Sequence, residues 1–360
     1  MKAIIPTGGR GTRMRPLTFS TNKHFIPIAN KPVIFYPIET VANAGIKEIG
    51  ITYNLDGMDE AKSILGDGSR WGLKFEFVLQ EKPAGLANIF QVCEEFLKGE
   101  SFVLHLGDNI FVDGIKGLVD YFEKEKPNAL VTMLKHKDNK RLGVPFFDEK
   151  GKFIKYVEKP ENPPNDFGIP GLYFFDKQVF KCFSGEDAIK PSERGELEIS
   201  APYNWLIEKG YRVDALEYKG VWMDPGKFDD WILANEYLLL HKLDEIRETE
   251  IDSTNKISGK VTIGKNCTIL NSEIVGPVIL GDNVTVKDSK IGQFSSIGDS
   301  CEIIGSDLSN SVLMKGVKII DVKAHPVSVS LIGTDTEIIG SDGKGDKTSL
   351  FVGEKCKIQI

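Results

Sequence analysis

From residue 257 onward, aliphatic side chains recur with a step that neither a helix nor a solvated strand produces. Ile257, Ile263 and Ile269, then Ile274, Leu280 and Val286, then Ile291, Ile297 and Ile303 follow one another by steps of six, six and five, so the set repeats every 17 residues. A helix returns an apolar residue every third or fourth position, and a half-buried strand every second one. A sustained step near six predicts a hexapeptide solenoid across residues 255–360, with each aliphatic turned into a narrow triangular core. Glycine follows several of them (Ile263-Gly264, Leu280-Gly281, Ile291-Gly292, Ile297-Gly298), and Leu308 and Met314 extend the register less regularly. A single coil cannot bury such a core, so the segment folds only as a stack.

Residues before 240 obey a different rule. Lys2-Ala3-Ile4-Ile5 is a short apolar run that reads as a buried strand. Pro32 to Gly45 spaces apolar residues as a helix does and ends on a glycine suited to a C-cap, and Ile49-Gly50-Ile51-Thr52-Tyr53 reads as a second strand. Strand, helix and strand in that order form a crossover unit with parallel strands, and the pattern recurs at Phe75–Leu79 and Phe102–Leu106. The expected fold class is α/β, a Rossmann-like, doubly wound mixed sheet. At 360 residues the chain is long for one core. We read residues 1–240 as one domain, the charged helical stretch 241–254 as a connector, and 255–360 as the solenoid.

The run Gly8-Gly9-Arg10-Gly11-Thr12-Arg13-Met14-Arg15, with Lys23 beyond it, falls where the first strand ends. Ends of parallel strands are where α/β sheets bind ligands. Glycines there let backbone N–H groups approach a polyanion, and Arg13, Arg15 and Lys23 surround it with cationic donors, which is the chemistry of a phosphate cradle. The spacing is neither the dinucleotide fingerprint nor the P-loop, and an ordinary tight turn would use glycines too. Two aspartates stand past strand ends, Asp108 in Leu106-Gly107-Asp108-Asn109 and Asp224 in Val221-Trp222-Met223-Asp224; from spacing alone Asp108 reads equally well as a helix cap.

Gly8 to Thr18, GGRGTRMRPLT, together with Lys23-His24-Phe25-Ile26-Pro27-Ile28-Ala29-Asn30-Lys31-Pro32, resembles the signature of the sugar-phosphate nucleotidylyltransferases, and within that family the long-form glucose-1-phosphate thymidylyltransferases. The resemblance implies the nucleotide-diphospho-sugar transferase type of α/β fold followed by a left-handed parallel β-helix. Leu331-Ile332-Gly333, Gly340 to Gly343 and Phe351-Val352-Gly353 would form its capping tail. The implied reaction condenses a sugar-1-phosphate, glucose-1-phosphate first, with a nucleoside triphosphate, dTTP first, and releases pyrophosphate. Carried over to these positions, Gly8, Gly9, Gly11, Thr12 and Arg13 with Gln80, Pro83, Gly85, Leu86 and Asp108 bind the nucleotide. Asn109, Gly143, Glu158, Lys159, Ile169, Gly171 and Tyr173 line the sugar pocket. Mg²⁺ is the implied cofactor, on Asp108 and Asp224, because this ion commonly takes one or two carboxylates and completes its shell with phosphate oxygens and water. Arg15, Lys23, Asp108, Lys159 and Asp224 make up the catalytic set. Glu193 to Ser200 match the family as well and are read as helix start and pocket wall. Pro6-Thr7, Met14, Pro225 and Lys227 depart from the family's usual residues, which leaves the preferred base and sugar open.

A net charge of −7 argues against a nucleic-acid binder, which needs a clustered basic face. The N-terminal apolar run is too short for a signal peptide and no run could span a bilayer, so a cytoplasmic protein without a membrane partner is expected. The five cysteines (Cys93, Cys182, Cys267, Cys301, Cys356) lack pairing or zinc spacing and read as reduced core residues. A solenoid with an exposed apolar edge favours a homo-oligomer. Other readings stay open: a UTP-dependent uridylyltransferase, since one methyl group separates the triphosphates; acyl transfer on the solenoid, where His325 is the sole histidine; and a non-catalytic relative that binds nucleotide sugars.

Overall fold

A computed structural model describes residues 1–9, 11–322, 326–340 and 350–359. Arg10, His325 and the 341–343 part of the expected tail lie outside the described residues. The chain divides into two units: Met1–Gly9 with Ile34–Met223, and the described parts of 10–33 with those of 224–360.

In the first unit the apolar runs form β1 (Lys2–Pro6), β2 (Glu48–Tyr53), β3 (Lys74–Leu79) and β4 (Phe102–His105), parallel and in the order β4-β1-β2-β3. Ala3, Ile4 and Ile5 are fully buried, as a parallel sheet covered on both faces requires. Helices α1 (Phe35–Asn43) and α2 (Met58–Leu65) lie in the crossovers, and two short helices, α3 (Asn88–Val92) and α4 (Glu94–Leu97), parted at Cys93, come between β3 and β4.

Beyond β4 the sheet becomes mixed. The chain continues through β5 (Ile110–Phe111), α5 (Lys116–Glu125), β6 (Ala129–Lys135), β7 (Gly143–Phe147), β8 (Phe153–Glu158), β9 (Phe167–Gly168), β10 (Leu172–Phe175), α6 (Ser200–Glu208), β11 (Val213–Glu217) and β12 (Trp222–Met223). Strand β10 runs antiparallel between β4 and β6, while β11 joins β6 in parallel. Strands β7 and β8 form an antiparallel pair, as do β5 and β12. Under the sheet, Phe90 meets Phe102 and Phe175 with centroids 5.0 Å apart in both pairs, and each buried ring contributes about 1.5–3 kcal/mol. Strand order reverses at β1, with β2 and β3 to one side and β4 to the other. The crevice past the carboxyl ends of β1 and β4 is therefore the position where such sheets hold ligands.

The second unit is a stack of parallel ladders. Ile257, Ile274 and Ile291 lie in register, as do Ile263, Leu280 and Ile297, and Ile269, Val286 and Ile303, so the step of 17 is the pairing step. These side chains and their successors make one buried core. The register then shifts: Ile297 pairs with Leu313, not Met314, because that coil is one residue shorter. Leu331-Ile332 and Phe351-Val352 pair with each other as further rungs where a cap was expected. Between the two aliphatics of each five-residue step lies a buried serine. Ser272, Ser289 and Ser306 each donate to a carbonyl two residues back and accept an N–H from the next coil, from Ser289 (3.2 Å), Ser306 (3.0 Å) and Val322 (3.0 Å).

Helix α7 (Phe228–Lys242) packs against this stack with residues 27–30. Asn235, fully buried, accepts from Ala29 N (2.9 Å) and Ser296 Oγ (2.7 Å) and donates to the Phe294 carbonyl (2.9 Å). Trp231 Nε1 donates to the Pro27 carbonyl at 2.8 Å. One side-chain amide thus ties three segments together.

Candidate active site

At the end of β1 in the first unit, Gly8 lies against the amides of Asn54 and Gln80: a Cβ there would come within 3.3 Å of Asn54 Oδ1 and 3.4 Å of Gln80 Oε1. Gln80 follows β3, is 4% exposed, and donates Nε2–H to Asn88 Oδ1 at 3.1 Å. The first glycine and the amide expected to read the base are therefore neighbours. Gly9, at φ 115°, has open space around it, as a residue presenting its N–H outward needs. Gly85 has φ 102°, and a Cβ there would strike the Leu197 backbone. Leu197 pins this loop by donating to the Ala84 carbonyl (2.8 Å) and accepting from Ala87 N (3.0 Å). Pro83 is exposed, and Leu86 is half-buried against the core.

Past β4, Asp108 is 7% exposed and is not the cap of any helix; β5 follows it. Its orientation comes from Asn109, whose Nδ2 donates to Asp108 Oδ1 at 3.1 Å. Asn109 Oδ1 in turn accepts from Gly171 N (3.1 Å) and from Trp222 Nε1 (2.9 Å). A Cβ on Gly171 would sit 2.6 Å from that oxygen and 2.6 Å from Leu106 Cδ1, so glycine is required by close approach. Nearby His105 is fully buried; desolvation pushes it down to about 4, and its Nδ1 pairs with the Leu106 carbonyl at 2.9 Å. It is neutral at physiological pH.

The expected sugar residues gather around the β7–β8 pair. Gly143 pairs with Glu158 across the ladder, and Ile169 N donates to the Gly143 carbonyl at 2.7 Å. Glu158 has its pKa raised by burial and by Glu198, against which the hydroxyl of Tyr156 and the charges of Lys159 and Arg194 act. Glu198 is itself held by Arg194 Nη2 (2.7 Å) and Ser192 Oγ (2.9 Å). Lys159 is exposed, at φ 45°, with its N–H on the Leu142 carbonyl (3.0 Å). Tyr173 is buried on β10. Of the stretch Glu193–Ser200, the Leu197 backbone lies against Gly85 and Glu198 lies close enough to Glu158 to act on its charge.

The other expected residues belong to the second unit. Gly11 has φ 53°, and a Cβ there would come within 2.9 Å of Thr18 Cγ2 and 3.3 Å of Lys23 Cβ, while Thr18 Oγ1 donates to the Gly11 carbonyl at 2.8 Å. Thr12 opens a short 3₁₀ turn anchored by buried Met14. Arg15 lies 4.8 Å over the ring of Phe19. Arg13 reaches the neighbourhood of Asp224, since a Cβ on Gly226 would meet its guanidinium at 3.2 Å. Among the described residues no group of three or more His, Cys, Asp or Glu side chains is placed to hold a metal ion.

Three contributors were missed from sequence. Asn54 lies beside Gly8, Trp222 anchors Asn109, and Tyr156 shares a strand face with Glu158. The alternation from Lys152 to Val157 reads as a strand with one solvated face and does not single out Tyr156, and nothing in the spacing flags Asn54.

This arrangement has known counterparts. Residues 2–240 match the family model described as nucleotidyl transferase. Along its full length the chain is 34% identical to a glucose-1-phosphate thymidylyltransferase of Streptomyces antibioticus, covering 99% of that protein. It is also 34% identical to the low-salt glycan biosynthesis nucleotidyltransferase Agl11 of Haloferax volcanii, with both chains fully covered. A crystal structure from Bacillus anthracis, assigned as a glucose-1-phosphate thymidylyltransferase, superposes with a TM-score of 0.62 at 34% identity over 69% of this chain and 98% of its own. The chain belongs to the nucleotidyl transferase family.

Proposed function

We propose that this protein joins a sugar-1-phosphate, glucose-1-phosphate first, to dTTP, forming the dTDP-sugar and pyrophosphate. The observation that carries this reading is the placement of Asp108 at the sheet's switch point, past the strand that neighbours β1 and the Gly8-Gly9 turn, with its carboxylate oriented by Asn109. A phosphate monoester is already nucleophilic at neutral pH, so no general base is needed. The work left to the protein is alignment and charge neutralisation. Gln80 and the Gly85 loop receive the base, while Gly8, Gly9, Gly11, Thr12 and Arg13 cradle the phosphates. Arg15 and Lys23 neutralise the leaving pyrophosphate, and Lys159 holds the attacking phosphate. Glu158 accepts sugar hydroxyls, with Asn109, Gly143, Ile169, Gly171 and Tyr173 shaping the rest of the pocket.

Asp108 and Asp224 offer hard oxygen donors, the type Mg²⁺ prefers. When bound there the ion would supply charge neutralisation on the triphosphate.

The parallel ladders with their 17-residue step support a left-handed parallel β-helix, to which we assign an oligomer-forming role. Among the described residues no helix is long and apolar enough to cross a membrane, in keeping with a cytoplasmic site of action. A matrix of triphosphates against sugar-1-phosphates, read as pyrophosphate release with and without Mg²⁺, tests the reading. Highest kcat/KM for dTTP with glucose-1-phosphate is expected; faster turnover with UTP would make the protein a uridylyltransferase, and no release with any pair would refute it.

A further inference from the structure

Behind Glu158 stands a side chain that the proposed chemistry does not use. Tyr156 lies two residues earlier on β8, so its side chain leaves the same face of the strand. It is 1% exposed. Its phenol favours the charged form of the Glu158 carboxylate, and the ring covers Gly143 so closely that any Cβ there would overlap the ring and its hydroxyl. Glycine at 143 is thus the residue that lets the phenol reach Glu158.

The ring has no freedom to leave. Asn204 on α6 clamps its backbone in both directions, accepting from Tyr156 N (2.9 Å) and donating to its carbonyl (2.8 Å). Tyr203 packs beside it with centroids 5.8 Å apart and is itself tied by its hydroxyl to the Leu130 carbonyl at 3.1 Å. A phenol held this firmly offers its hydroxyl to Glu158 from one fixed side, which orients the carboxylate and leaves its other lone pairs for a ligand.

We infer that Tyr156 is the positioning residue of the sugar subsite: it aims Glu158 at a pair of neighbouring hydroxyls on the sugar phosphate and so sets how strongly those hydroxyls are recognised. The inference rests on the reading of Glu158 as the sugar-hydroxyl acceptor. A second consequence concerns charge. Burial and Glu198 favour the protonated acid, while Tyr156, Lys159 and Arg194 favour the carboxylate. Removing the phenol hydroxyl shifts that balance toward the acid, and an acid has fewer acceptor sites for hydroxyls.

Steady-state kinetics with glucose-1-phosphate and with its deoxy analogues, each lacking one ring hydroxyl, test the inference. For Tyr156→Phe, KM for glucose-1-phosphate should rise about ten-fold, the scale of a lost hydrogen bond to a charged group, while kcat and KM for the triphosphate stay within about two-fold. The penalty for deleting the recognised hydroxyl should shrink in the variant, and the rise in KM on acidification should begin at higher pH. Tyr156→Met, which fills the same space without a hydroxyl, should behave alike and serves if the phenylalanine variant does not fold. Glu158→Gln separates the two ideas. If it leaves KM for glucose-1-phosphate unchanged, the acceptor reading itself fails. If it raises that KM but both Tyr156 variants match wild type in hydroxyl discrimination and pH profile, the positioning role is overturned.

Discussion

Asn109→Leu is the sharpest test of how the carboxylate past β4 is held. Leucine keeps most of the volume but removes an oxygen that accepts from Gly171 N at 3.1 Å and Trp222 Nε1 at 2.9 Å, and an amide that donates to Asp108 Oδ1 at 3.1 Å. A buried donor left without a partner costs roughly 1–3 kcal/mol. The Gly171 bond is buried and takes the full cost, whereas Trp222 is half-buried and recovers part of it from water. The expected loss is therefore about 2–4 kcal/mol. For a unit of this size that lowers Tm by roughly 4–16 °C. Thermal and urea unfolding, followed by tryptophan fluorescence, measure it. Turnover should fall further than stability explains, because Asp108 loses its guide. A variant within about 0.5 kcal/mol of wild type, a shift ordinary for surface positions, would refute the idea that Asn109 organises this corner.

Other outcomes follow from the same geometry. Asp108→Asn should keep the melting temperature and lower kcat by about 10²–10³, the scale of one lost electrostatic contact, read by pyrophosphate release at saturating Mg²⁺. Gly85→Ala forces a side chain onto the Leu197 backbone at φ 102°, so KM for the triphosphate should rise at least about ten-fold with little change in KM for the sugar phosphate. His105 gives a pH signature. Its folded pKa lies near 4, below the ordinary value of 6.5, so the unfolded chain binds the extra proton and stability falls as pH drops from about 6.5 toward 4. His105→Gln should flatten that part of a urea-denaturation profile; an unchanged slope would show that other groups dominate it.

Much of this was legible from residue order. The step of 17 set the pairing register of the first coils because only one core is available to a narrow stack. It failed at Met314, where a coil one residue shorter puts Leu313 in the core, and no local signal marks a deletion inside a repeat. The crossover pattern from Lys2 to Leu106 led to the parallel half of the sheet. It did not foretell β10, whose insertion between β4 and β6 is a long-range choice made by packing. Asp108 and Gly171 stood out as motif members, but Trp222 acts through a tertiary hydrogen bond and Tyr156 through ring packing that spacing does not encode. Gly143 read as a pocket residue; that it is glycine to admit a tyrosine ring emerges only in three dimensions.

The serine column has a mechanical consequence for the stack of parallel ladders. Each hydroxyl serves the coil behind it and the coil ahead, so taking Ser289 out of the middle strands an N–H on Ser306, whereas losing a terminal coil frees only the last acceptor. Where the column ends at Val322, a second one, Ser311 to Ser330 to Leu350, carries the coupling onward. A stack built this way loses its last turn more easily than a middle one, and tolerates a change of length in whole turns better than a break inside the column.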